Sequence, residues 1–402
     1  MIEIIPLEQA ISQDSMRDFS EKDVFVTSLD LISNLLTRKL PLKDNNKSIK
    51  NILEFLQFTD RQMNEAKDTL LSLHSDTLIS FFSRDTYKNY LDILKECRVM
   101  TRVPHDNNTF YTPGKASSLY RFYNEYCFAE LAIVIIHSNK QTISIETRVH
   151  KKFSNAIKNS KVDYYKAIQA EIEYCKEKNK DRNNLLRSRL SRLFSSHSNR
   201  FVKKGTNVNR IFHSFSNLSK VSRQFLEVEN MSYNSLDIVN CQPMLLCYYL
   251  KQNNLQYDEN YIKDCESGIF YEKFVGLEGY FTYKSNSKYY KEYSTLDREN
   301  VKKQLYKSIF FMFDKCNPIN KEFAKLYPIT YKTLDEIAGV QSMATILQNL
   351  EASIFNDLVP KKSKYFFTLF DEIYYTDESD KEELEKKIIS KFNLLSLNVK
   401  IC

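Results

Sequence analysis

Apolar positions along the chain change their period several times. In SIKNILEFLQF (48–58) and TYKNYLDILKEC (86–97) they recur at three and four residues, which predicts helices. The next stretch, RVMTRVPHDNNTFYTPGKASSLYRF, sets two short β-branched or aromatic runs on either side of Asp106-Asn107-Asn108, which predicts a hairpin. The block Leu131–Ile136 is apolar throughout and reads as a buried strand or a core helix. From Ile145 to Phe201 the helical period returns with a high density of charge. Beyond about residue 226, strand-like SYNSLDIVN and KYFFTLFDEIYYT bracket helical RENVKKQLYKSIFF and SMATILQNLEASIFNDLV.

These changes divide the chain into a mainly helical N-terminal domain (1–144), a basic helical region (145–225) and an α+β C-terminal domain (226–402). Helix followed by hairpin resembles, in layout, a winged-helix element. That element would either bind DNA or only support the rest of the chain.

Charge adds to the picture through its distribution. The net charge is +7, but no Asp or Glu occurs from Arg182 to Leu226, a stretch that holds ten Lys and Arg residues, among them Lys203, Lys204 and Arg210. A run of one sign predicts contact with a polyanion, here a nucleic-acid backbone. The eight cysteines form no Cys-x-x-Cys pair, so they read as reduced thiols with no zinc site. No secretory signal and no apolar stretch of membrane-spanning length is visible, so a cytoplasmic protein with no membrane partner is expected.

Candidate chemistry lies in the C-terminal part. Asp237 follows the alternating run SYNSL, and Asp371 follows the aromatic run YFFTLF, so each would sit at a strand end or hairpin tip. Two carboxylates brought together there suit hard divalent cations. Between them, Arg298, Lys302, Tyr306 and Phe310 are spaced by four and would rise along one helical stripe. Two cations below an aromatic ledge can hold a triphosphate at one end and a base or sugar at the other.

The three segments DIVNCQP, RENVKKQLYKSIF and FDEIYYT, in this order, resemble motifs A, B and C of the family A DNA polymerases and the related single-subunit phage-type RNA polymerases. GTNVNRIFHSFSNLSK, from Gly205 to Lys220, is similar to the stretch that precedes motif A. The resemblance covers about half the chain and implies a right-hand-like fold, with an antiparallel palm sheet and helical fingers and thumb.

It further implies that Asp237, Asp371 and the Ile238 carbonyl bind two Mg²⁺ or Mn²⁺ ions, and that Arg298 and Lys302 hold the triphosphate. Lys302 would protonate the leaving pyrophosphate, Tyr306 would lie against the incoming nucleotide, and Phe310 would pack at the insertion site. Gln242 would face the sugar. Arg210, His213 and Glu372 would lie along the nucleic acid.

Three residues depart from the family pattern: Phe370 stands in place of His, Phe310 in place of Tyr, and Gln242 in place of Glu. A bulky Gln242 beside Phe310 favours deoxynucleotides. No Asp-x-Glu strand with further spaced aspartates marks a proofreading exonuclease.

The expected activity is a template-directed nucleotidyltransferase, a DNA polymerase that acts on primer-template DNA with nucleoside triphosphates in a phage or plasmid, with or without replication accessory proteins. A primase-like or single-subunit RNA polymerase and a catalytically inactive replication protein stand as alternatives.

Overall fold

The computed structural model describes residues 2–10, 23–42, 44–66, 69–104, 117–136, 142–146, 148–178, 183–285, 288–311, 313–315 and 317–402. Among these the fold is mixed α+β, with 17 helices and five small three-stranded sheets besides one two-stranded hairpin.

The first third contains six strands: β1 (Ile2–Pro6), β2 (Asp23–Ser28), β3 (Leu70–Leu73), β4 (Met100–Val103), β5 (Ser118–Phe122) and β6 (Leu131–Ile136). They form two antiparallel sheets of order β1-β6-β2 and β3-β5-β4. The expected helices are present within Asn45–Ala66 and Tyr87–Glu96. Beside these helices stand the two sheets, whose strands of four to six residues are too short to show a clear alternation in sequence.

The apolar block Leu131–Ile136 is the central strand β6, and it is buried along its whole length. Ile133 and Ile135 belong to one hydrophobic core, while Ala132, Val134 and Ile136 belong to the other. A strand covered on both faces has no polar side, which explains its unbroken apolar run. At about 1.5–3 kcal/mol for each large aliphatic side chain buried, this strand is a main tie between the two cores.

The hairpin expected near residue 100 is the β4–β5 pair, with Met100 opposite Phe122 and Val103 opposite Leu119. Its turn, with Asp106-Asn107-Asn108, lies outside the described residues.

The middle of the chain carries β7 (Thr142–Ile145), β8 (Lys161–Val162), β9 (Asn199–Lys204) and β10 (Ile211–His213), together with the helices Lys151–Asn159, Tyr164–Glu177 and Asn184–Ser198. β9 is central, parallel to β7 and antiparallel to β10. Helix Asn184–Ser198 is fixed to helix Asn45–Ala66 by a buried ion pair. Arg187 places Nη2 2.9 Å from Asp60 Oδ1 and Nε 3.0 Å from Asp60 Oδ2, and its guanidinium lies 4.1 Å from the centre of the Tyr126 ring.

In the last part, β11 (Leu226–Val228) and β12 (Met231–Ser232) join β8 in one sheet. β13 (Asn234–Asp237) is followed by the hairpin β14 (Glu278–Ser285) and β15 (Lys288–Thr295), and then by β16 (Phe366–Leu369) and β17 (Glu372–Tyr375). β13, β17 and β16 form an antiparallel sheet in that order. Its cross-strand pair Phe367 and Tyr374 stacks at 4.6 Å, and Phe153, His213, Phe215 and Tyr233 crowd around these rings or against one another. No helix among the described residues is long and apolar enough to cross a membrane.

Candidate active site

The β13-β17-β16 sheet brings the two separated aspartates to one end. Asp237, the last residue of β13, lies opposite Glu372, the first residue of β17, and Asp371 immediately precedes Glu372 in the turn from β16. That turn has only two residues, Phe370 and Asp371, between the paired Leu369 and Glu372. Phe370 has φ 58°, a left-handed conformation that glycine or asparagine takes readily at the first position of such a loop and that costs a bulky residue about 1–2 kcal/mol. The residue is 45% exposed, with the Arg210 guanidinium 5.2 Å from its ring centre. Strain of this kind concentrates at functional positions.

Residues 400–402 pair along the outer edge of β13. Asp237 and Cys402 exchange both backbone hydrogen bonds (2.9 and 3.0 Å), and Val239 N–H donates to the Lys400 carbonyl (3.0 Å). In this antiparallel register the Ile238 carbonyl points away from residues 400–402.

Burial raises the Asp237 carboxyl to about 7, helped by the nearby Asp371 and Glu372 carboxylates and opposed by Lys220 and Lys302. Burial also raises Asp371, against its own backbone N–H and the Lys302 and Arg210 cations, with Glu372 adding repulsion. Asp237 Oδ1 is buried without a hydrogen-bond partner. Crowded carboxylates with an unpartnered oxygen fit a cation, which would relieve both the repulsion and the missing bond. Among the described residues no group of three or more His, Cys, Asp or Glu converges on one point. Two carboxylates alone leave most positions of a hard cation's shell to other oxygen ligands.

Lys302 lies on helix Arg298–Leu305, which begins where Asp297 accepts from Asn300 N–H (2.7 Å). Its charge reaches both aspartates. Arg298, at the helix start, is exposed and ion-paired with Glu272 at 2.6 Å. After Leu305 the helix widens into π turns over Tyr306–Phe311. Lys302, Tyr306 and Phe310 still follow one another along the expected stripe. Tyr306 stays half-buried with Lys302 Nζ 5.6 Å from its ring centre, but Phe310 is fully buried against Phe270 and Tyr306. Phe310, expected to pack at the insertion site, belongs to the core and has no exposed surface.

The expected nucleic-acid contacts divide. Lys203 and Lys204 are exposed on β9. His213 is fully buried among aromatic rings with Nε2 2.9 Å from the Thr368 carbonyl, so the expectation that it faces nucleic acid fails. Burial, partly opposed by that carbonyl and reinforced by Arg223, holds it down at about 4 and therefore neutral. Glu372 is engaged by Arg223 (3.4 Å) and by the Tyr374 hydroxyl (2.6 Å). Arg210 pairs with Glu351 at 2.5 Å, and Gln242 Nε2 donates to the same Glu351 oxygen at 3.0 Å.

Much of the basic run is likewise committed inside the protein. Arg187 pairs with Asp60, Arg189 with Glu171, Arg210 with Glu351 and Arg223 with Glu372, while Arg200 donates to the carbonyls of Ile157, Lys158 and Ser160. Arg182 lies outside the described residues. The run supplies acid-free sequence, but the fold brings acids to it from elsewhere.

Glu351, Lys220, Arg223 and Tyr374 are the members of this cluster that sequence reasoning missed. For Glu351 a signal existed: a carboxylate on the apolar stripe of helix Met343–Phe355, one turn from Leu347 and beside Phe355.

Comparison with known proteins finds no matching family model, no matching curated protein and no matching solved structure. The chemistry of the site carries the functional reading.

Proposed function

We propose that this chain is a template-directed nucleotidyltransferase, a DNA polymerase of right-hand-like architecture with β13-β17-β16 as its palm sheet. The observation that carries the reading is the meeting of Asp237 and Asp371 at one end of that sheet with the Lys302 charge in reach of both. The order of these residues along the chain and the resemblance to motifs A, B and C support it.

In the proposed reaction the 3′ hydroxyl of a primer gives its proton to water as its oxygen attacks the α-phosphorus of a nucleoside triphosphate, the bond from that phosphorus to the bridging oxygen breaks, and pyrophosphate leaves. Two Mg²⁺ or Mn²⁺ ions, when bound, make the hydroxyl a stronger nucleophile and neutralise the triphosphate. Asp237, Asp371 and the Ile238 carbonyl would hold them. Lys302 would bind the phosphates and give a proton to the departing pyrophosphate, while Arg298, released from Glu272, would add a second phosphate contact. Tyr306 would lie under the nucleotide, and Gln242 would stand toward its sugar. The partly exposed Phe370 and the exposed Lys203 and Lys204 would contact the primer-template.

A primase-like or single-subunit RNA polymerase is the second reading. One observation favours it: the N-terminal helices and the β3-β5-β4 sheet share a winged-helix-like order, with a groove of about 870 Å³ between helix Tyr87–Glu96 and the sheet, lined in part by Lys88, Lys95 and Arg102. Such a module would choose a start site.

Extension of a labelled primer on DNA and RNA templates, with dNTPs and rNTPs offered separately, tests both readings. Template-dependent dNTP extension that is lost in Asp237→Ala and Asp371→Ala is the expected result. Extension by rNTPs alone would select the second reading. Silence of the wild type with either cation would overturn both.

A further inference from the structure

Glu351, near the carboxylate pair, is a buried acid that holds two partners at once. Its side chain is almost fully buried, and one oxygen accepts from Arg210 Nη2 at 2.5 Å and from Gln242 Nε2 at 3.0 Å. The two partners reach the site from different elements, Arg210 from the segment before β10 and Gln242 from the first turn of helix Cys241–Gln252, directly after Asp237. Each also has a buried polar atom without a partner, Gln242 Oε1 and Arg210 Nε. Buried groups left half-satisfied are uncommon, and an adjoining binding site is one cause.

A long amide side chain has several rotamers and two ends that are alike in shape. A carboxylate that accepts from Nε2 removes that freedom, because the reversed amide would set two oxygens against each other. Glu351 therefore both fixes where Gln242 stands and decides that its oxygen is the free end.

Resting on the nucleotidyltransferase reading above, we propose that Glu351 is a positioning residue for sugar choice. It locks Gln242 as a rigid block against the 2′ position of the incoming nucleotide, and through the same oxygen it holds Arg210 at the end of the primer. A side chain held by its surroundings excludes a misfit better than one free to swing away.

The two links separate on substitution. Glu351→Ala removes both. Glu351→Gln keeps a neutral oxygen for Gln242 and loses the charge that holds Arg210. The measurement is kcat/KM for dNTP against rNTP at the same template position, together with KM for primer-template, in the full chain. Thermal melting of each variant accompanies it.

Glu351→Ala is expected to lower the dNTP preference by about tenfold, the order of one lost buried hydrogen bond. Glu351→Gln should hold that preference within about twofold while KM for primer-template rises by several fold. Gln242→Ala should reproduce the lost preference without the primer effect, and the Glu351→Ala/Gln242→Ala double variant should lose no more preference than either single one. The double variant and Gln242→Ala keep the test open if Glu351→Ala alone melts early. An active wild type whose preference is unchanged in Gln242→Ala, or falls equally in Glu351→Gln and Glu351→Ala, overturns this proposal and leaves the polymerase reading standing. A wild type that incorporates no nucleotide overturns both.

Discussion

Asp237→Asn should make the cation-free protein more stable while ending its activity. Burial and the facing Asp371 and Glu372 raise the Asp237 carboxyl from an ordinary 3.8 to about 7. The unfolded chain ionises this group near its ordinary value, whereas the folded chain holds the proton until about pH 7. The folded state therefore binds more protons between these values, and its stability falls as pH rises through that window and levels off above it. A gap of roughly three pH units corresponds to a ceiling of about 4 kcal/mol. The side chain is half-buried, so water screens part of the repulsion, and about 1–2 kcal/mol is the expected gain on replacing it with neutral asparagine at pH 8. In thermal melting with EDTA that amounts to about 1–2 °C. At pH 4.5 the gain should shrink toward zero. Addition of Mg²⁺ should then raise the wild-type Tm and leave the variant almost unmoved, because the cation needs both carboxylates. A variant no more stable than wild type at pH 8, or a gain that is the same at both pH values, would refute the crowding of these carboxylates. A wild type indifferent to Mg²⁺ and Mn²⁺ would refute their use as a cation site.

Lys302→Ala should lower nucleotide incorporation by about 10²–10³-fold with little change in primer-template affinity, measured by single-turnover extension beside a binding titration; an equal loss in both would place Lys302 on the nucleic acid rather than on the triphosphate. Arg187→Met strands Asp60 in the interior and should cost about 3–5 kcal/mol in denaturant unfolding, whereas Arg187→Met with Asp60→Leu should recover most of it. Burial holds His213 at about 4. The unfolded chain takes up that proton first, so stability present above about pH 6.5 is lost as pH falls toward 4, with a ceiling of about 3 kcal/mol. Stability followed by urea unfolding from pH 7 to 4 should be flatter in His213→Phe than in wild type, and parallel profiles would count against a neutral buried ring.

The pair of aspartates was legible because its signal is local: each follows a run whose residues suit a strand, and a strand ends where a turn begins. Helices of ten or more residues were legible for the same reason, through a period repeated several times. Strand β3 was not visible as the third member of the β4–β5 sheet, because four residues give two alternations at most, and its stabilisation comes from a partner far along the chain.

The acid-free basic run shows the deeper limit. Its sequence reports only that no neutralising charge is near in the chain, but Asp60 reaches Arg187 across 127 positions and Glu351 reaches Arg210 across 141. Local charge density is evidence for a polyanion only where the fold leaves the cations on the surface, as it does at Lys203 and Lys204. The stripe from Arg298 to Phe310 shows a related limit. Spacing by four marks a shared face, and Lys302, Tyr306 and Phe310 do touch in succession, but it does not tell residues that meet solvent from one that ends in the core, where Phe310 lies. The π turns over Tyr306–Phe311 are of a kind frequent at functional sites, and they follow directly on the helix that carries Lys302.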